Sequence, residues 1–198
     1  MIPTPTECFS LWDTYDLPEL KRVHSVAVWS VVRVMEHTAE KKGIKLDSSR
    51  LDAATLLHDI DKNVPKLQGE QHPDACIRIV RAHSYDELVD LIRSHPLHSV
   101  LDSTICPKTV EEIILYVADK ITKYEPIGLE ARFALWRREP MVPKERDILS
   151  RSYLPARQLA HSLWKRLGVS EKDVLEESRM EYSSIRKFGT PCYTGLKK

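Results

Sequence analysis

The sequence predicts an all-α fold, a helical bundle carrying a helical C-terminal extension. Three observations lead there. Only 6 of the 198 residues are glycine. Few stretches alternate β-branched and polar residues as a half-buried strand would. Apolar residues instead recur at intervals of three and four along most of the chain, the spacing of one helix face.

Taken in order, a first helix is expected over residues 16–42, with Val23, Ala27, Val31 and Val34 on one stripe, His24 inside that stripe and Gly43 ending it. Asp47 or Ser48 caps a second helix carrying Leu51, Ala54, Thr55, Leu57 and His58, and Pro65 must stop it. His72-Pro73-Asp74 opens a third, with Pro73 suited to the first helical position and Asp74 to the positive end of the dipole. Ser84-x-x-Glu87 reads as a capping box for a fourth helix through Leu88, Leu91 and Ile92 to His95. Thr109-x-x-Glu112 reads as another, for a fifth helix through Ile114 and Val117 to Asp119 and Lys120. Beyond Pro126 the apolar spacing resumes with Leu129, Phe133, Leu135 and Trp136 and breaks at Pro140 and Pro143. Further helices are expected over residues 144–167, interrupted near Pro155, and over 170–182. The organisation expected is one domain over residues 1–198: a metal-binding core at 18–126, an extension at 127–182 and a tail at 183–198.

With 30 Lys+Arg against 29 Asp+Glu, no global field favours nucleic acid or an acidic membrane. Cys8, Cys76, Cys106 and Cys192 form no C-x-x-C pair, and no signal peptide or long apolar span is evident. A reduced, cytoplasmic protein is the expectation, with no membrane and no nucleic-acid partner.

The stretch "LDAATLLHDIDKNVPK" ends an apolar helical run with an imidazole, two carboxylates and a lysine. Such groups lose hydration on burial and need compensating partners, and a metal ion accepts both imidazole and carboxylate. His24, His58, Asp59, His72, His95 and Asp119 all sit at helix ends or in apolar stripes. They come from five expected helices, and facing helices of a bundle can bring such residues together in the core. Adjacent helical residues point about 100° apart, so His58 and Asp59 share one site only at the lip of a helix facing a cavity. His83 is an alternative to His72, and His98 lies close enough to His95 to support it. His37 and His161 stand among polar neighbours, as solvent-facing residues do. Arg132, Arg137 and Arg138 could line an approach for an anionic substrate but read better as a solvated helix face, and Trp136 reads as a core residue rather than a base-stacking platform.

The order His24, His58-Asp59, Asp119, in "KRVHSVAV", "AATLLHDIDKN" and "LYVADKIT", resembles the HD-domain superfamily of metal-dependent phosphohydrolases. His72 in "EQHPDACIRIV" and His95 in "LIRSHPLHS" resemble the additional histidines of its dinuclear branch. "EEIILYVADKITKYEP" is similar to the bacterial symmetrical diadenosine tetraphosphatases, although Asp61 stands where the HDIG form of the motif has glycine.

This resemblance implies that His24, His58, Asp59 and Asp119 hold one metal and that His72 and His95 join Asp59 on a second. Iron or manganese is expected for two divalent ions in such mixed ligands. It further implies hydrolysis of a nucleotide or related phosphate ester or anhydride, possible symmetrical dinucleoside tetraphosphates included, by a metal-activated hydroxide. Asp59 and Lys62 are the expected catalytic residues, and Lys62, His98 and Lys123 the expected substrate contacts. Two rivals stand beside this reading: a di-iron oxygenase similar to myo-inositol oxygenase, and a non-catalytic helical module pinned by metal.

Overall fold

The computed structural model describes residues 1–187. Helices α1 (Pro5–Thr14), α2 (Glu19–Lys41), α3 (Ser48–Leu57), α4 (Asp74–Ala82), α5 (Val89–Ser94), α6 (Val110–Lys120), α7 (Leu129–Trp136), α8 (Pro143–Leu167) and α9 (Glu171–Lys187) follow in order, and no strand occurs among the described residues. The all-α expectation is met.

The organising element is α2, which packs against α3, α6 and α9. Val28, Val31, Val32 and Met35 on it are fully buried along one apolar stripe, and Val26, Ala27 and Ala39 are fully buried as well because neighbours cover α2 on more than one face. Against α3 lies α1, tied by Trp12, whose indole N–H donates to the Leu56 carbonyl at 2.8 Å. Residues from α8 and α9, among them Leu163, Leu167, Val174 and Tyr182, join the same hydrophobic core as α2 and α6.

Several local expectations are corrected. The region before residue 16 forms its own helix, α1, opened by a Thr4–Glu7 capping box. Asp47, rather than Ser48, caps α3 by accepting from the Arg50 N–H. Pro73 is the N-cap of α4 and not its first helical residue. Ser84 and Glu87 make no capping box: Ser84 has φ +60°, and a 3-10 turn at Asp86–Leu88 leads into α5. Thr109 and Glu112 do form their capping box at α6. Helix α8 runs through Pro155 without interruption; Arg151, whose carbonyl loses its intrahelical donor, is exposed to water. Helix α9 extends to Lys187, past the expected end at residue 182. The remainder of the expected tail, with Cys192, lies outside the described residues.

Gly128 positions α7. It has φ +92°, and a Cβ there would meet Glu171 Oε1 at 2.8 Å. The next residue, Leu129, donates its N–H to that same oxygen at 3.3 Å. Only glycine lets the chain turn this close to the first residue of α9.

Candidate metal centre

Helix α3 ends at Leu57, with His58 as its C-cap. Asp59 follows at φ −112°, ψ 16° and opens a 3-10 turn, Ile60–Asn63. Leaving the helix at this point frees His58 and Asp59 from a helical angular spacing and turns both inward. From α2 comes His24, buried near the start of the helix, and from α6 comes Asp119, one residue before its end. His95 is the C-cap of α5, and His72 precedes α4.

These residues form two adjoining groups whose ligand atoms lie within 4.8 Å of one another in each: His24 with His58 and Asp119, and Asp59 with His72 and His95. The four imidazoles make a continuous row, with ring centroids 5.3 Å apart for His24–His58, 5.1 Å for His58–His95 and 4.9 Å for His72–His95. His24 Nε2 stands 3.0 Å from Asp119 Oδ1, and His72 Nε2 stands 3.6 Å from Asp59 Oδ1.

The outer nitrogens settle the tautomers. Nδ1 of His24, His58 and His95 faces the backbone carbonyls of Lys123, Thr55 and Ile92 at 2.6, 2.7 and 2.6 Å. A carbonyl only accepts, so each Nδ1 carries the hydrogen and, in the neutral ring, each Nε2 presents its lone pair inward. His72 Nδ1 does the same toward the two oxygens of Asp61, at 3.1 and 3.0 Å. Two pairs of Nε2 atoms then meet head on: His24 and His58 at 3.3 Å, His72 and His95 at 3.0 Å. Facing lone pairs repel unless a proton or a cation lies between them. Burial disfavours the proton, driving His58 down to about 4 and His95 well below the usual imidazole range. Inward lone pairs beside two buried carboxylates are the donor set of a divalent cation.

Charges around the carboxylates support this. Burial opposes ionisation of Asp59 most strongly, yet opposite charges outweigh it, among them the Lys62 and Lys21 ammoniums, and hold the carboxyl well below its ordinary range. Lys62 Nζ meets Asp59 Oδ1 and Lys21 Nζ meets Asp59 Oδ2, both at 3.0 Å. Asp119 is likewise depressed against the cost of burial, chiefly by the Lys120 ammonium. Lys120 is buried, donating to Asp119 and, at 2.9 Å, to the His95 carbonyl.

All of this opens on one cavity of about 560 Å³. His24, Asp59, His72, His95 and Asp119 line it together with Lys21, Lys62, Lys66 and His98. Lys123 is not in that lining: its ammonium pairs with Glu139 at 3.2 Å, and its contribution to the site is the carbonyl that orients His24. His83 lies elsewhere, 3.0 Å from the Tyr15 hydroxyl, and His37 and His161 are exposed.

Two contributions lie outside the expected set of site residues. Asp61 orients His72, and the second carboxylate of "HDID" was the available signal. Arg132 and Trp136, read as solvated face and core, line the cavity from α7; nothing local in their spacing distinguishes this from an ordinary amphipathic helix.

A helical fold that gathers His and Asp from five segments around a cation-lined cavity has the donor set of a metal-binding protein. The HD domain profile matches residues 23–124, and the chain belongs to the HD-domain family, a family of metal-dependent phosphohydrolases. Comparison with curated proteins and with solved structures gives no significant match. No helix among the described residues is long and apolar enough to cross a membrane.

Proposed function

We propose that this chain is a dinuclear metal-dependent phosphohydrolase acting on a nucleotide or related phosphate ester or anhydride, with symmetrical dinucleoside tetraphosphates among the substrates to test. The observation that carries this reading is the pair of adjoining His/Asp groups opening on one cavity lined by Lys21, Lys62, Lys66, Lys120 and Arg132, a surround suited to an anionic substrate.

In this reading His24, His58, Asp59 and Asp119 hold one divalent ion, His72 and His95 share Asp59 on the second, and the ions are iron or manganese. When bound, the pair supplies a deprotonated water as nucleophile and neutralises charge on the phosphoryl group. Asp59, whose two oxygens face Lys62 and Lys21, would be the residue that the two ions share. Lys62, with its side chain 27 % exposed beside Asp59, reaches a phosphoryl oxygen and stabilises charge developing there. His98 is a further contact: burial holds it below the usual imidazole range, so it meets the substrate as a neutral group. Free thiols at Cys8, Cys76 and Cys106 accord with a reducing, cytoplasmic setting, and the partner in this reading is the small phosphorylated substrate itself.

The test is phosphate or nucleotide release by metal-quantified protein loaded with Fe(II) or Mn(II), over diadenosine tetraphosphate, nucleoside mono- and triphosphates and cyclic dinucleotides. Release by the wild type and its loss in His58→Ala and Asp59→Ala is expected, with Lys62→Ala lowering kcat by roughly 10²-fold or more. A fully metallated chain that releases nothing from the panel would overturn the assignment.

A further inference from the structure

The cations around the cavity are not equivalent. Lys21 and Lys62 are engaged by Asp59, and Lys120 by Asp119 and the His95 carbonyl. Arg132 differs. Its Nε and Nη1 are shielded from solvent and have no hydrogen-bond partner, and no ion pair engages it among the described residues. Glu139, one of the acids whose field reaches it, is taken by Lys123 at 3.2 Å. Burial pulls the Arg132 guanidinium below its ordinary range, against the opposing field of Asp119 and Glu139, yet arginine stays charged in any protein environment. A charged fork in a half-buried residue, with two of its three nitrogens shielded from water and without an acceptor, is costly, and such an orphan in a folded protein calls for an explanation.

Its geometry supplies one. The guanidinium carbon stands 3.9 Å from the centroid of the Trp136 ring, one helical turn on. Stacking holds the fork in place by its face and leaves its edge donors uncommitted. Helix α7 is itself anchored, through Gly128 and Leu129 against Glu171 and through the Pro126 carbonyl, which accepts from Arg179 at 3.2 Å. Both residues line the cavity of the metal centre but bond to none of its carboxylates. Both also lie beyond the matched family segment, which ends at residue 124.

We propose that Arg132, braced on Trp136, receives a second anionic group of the substrate, distinct from the phosphoryl at the His/Asp centre, and so selects diphosphate- and oligophosphate-bearing substrates over simple monoesters. The proposal rests on the phosphohydrolase reading for its substrate class. A phosphate supplies two or more oxygens to match the planar fork, which is why arginine recognises it bidentately.

Calorimetric titration of the metal-loaded full chain with methylenediphosphonate, whose P–C–P bridge resists hydrolysis, and with methylphosphonate tests it. The expected result is tighter binding of the diphosphonate by wild type, lost about tenfold in Arg132→Gln and partly recovered in Arg132→Lys, with less than a twofold change for methylphosphonate. Trp136→Leu is expected to weaken the diphosphonate alone, and metal content and thermal unfolding of each variant report whether it folds. Equal losses for both anions would put Arg132 on the reacting phosphoryl and overturn the second subsite. Unchanged diphosphonate binding in both Arg132→Lys and Trp136→Leu would also overturn it. Binding needs no turnover, so silence across the hydrolysis panel with Arg132-dependent diphosphonate binding would reject the hydrolase and not the anion site.

Discussion

Replacing Asp61 by alanine should weaken one metal position and spare the other. Both carboxylate oxygens of Asp61 lie 3.0–3.1 Å from His72 Nδ1, and the residue is 3 % exposed. Its loss removes the acceptor that sets the His72 tautomer and ring angle. Partners of this kind typically contribute about 10- to 100-fold in metal affinity, or about 1.4–2.7 kcal/mol. The His72 side chain is 23 % exposed, so water can replace part of the lost bond, which places the expected loss near the lower end, about tenfold. Asp61→Asn, which keeps an acceptor oxygen without the charge, should lose only a few-fold. Chelator-competition titration with Mn(II) is expected to resolve two binding steps. The step assigned to Asp59, His72 and His95 should shift, while that of His24, His58 and Asp119 holds, because Lys123 and Thr55 orient those histidines. An unchanged second step, or equal weakening of both, would refute the reasoning.

Three further outcomes are expected. Lys120→Met breaks a buried ion pair with Asp119 and should cost about 3–5 kcal/mol in urea unfolding of chelator-treated protein; a loss below about 1 kcal/mol would show that the pair is dispensable. Glu36 is pushed up to about 8, first by burial and then by Asp52, against Arg33 and a hydrogen bond from Ser48. A carboxyl whose folded pKa lies above its unfolded value takes up a proton on folding, so its contribution to stability is lost as pH rises from about 4.5 toward 8. Glu36→Gln should therefore melt higher than wild type at pH 8 and lose that advantage near pH 4.5, and a pH-independent gap in Tm would contradict the assignment. Thr109→Ala removes the capping box of α6 and should cost about 1 kcal/mol, read as a drop of a few degrees in Tm; no change would mean that the α6 start is held by packing alone.

What could be read along the chain was local. The apolar face of α2 and the caps at Asp47 and Thr109 follow from side-chain spacing and backbone hydrogen-bond needs within a few residues, whereas α3 ends at Leu57, ahead of the stop expected at Pro65. Local patterns also misled. Ser84-x-x-Glu87 has the same letters as Thr109-x-x-Glu112, but the chain turns at Ser84 into a 3-10 segment before α5. Pro155 looked like a break, yet its missing bond falls beside exposed Arg151, where water satisfies the carbonyl, and α8 continues.

The sequence by itself determined the helical class, the family motif and the identity of the six candidate ligands, because periodicity and residue chemistry are properties of short segments. Only the tertiary structure decided how the ligands divide into two groups, that Asp61 turns His72 inward, that Lys123 serves through its carbonyl, and that Arg132 and Trp136 face the cavity rather than bulk solvent or core. Those outcomes depend on which faces of α2, α5, α6 and α7 meet, and long-range packing sets that geometry. No spacing within one helix encodes it.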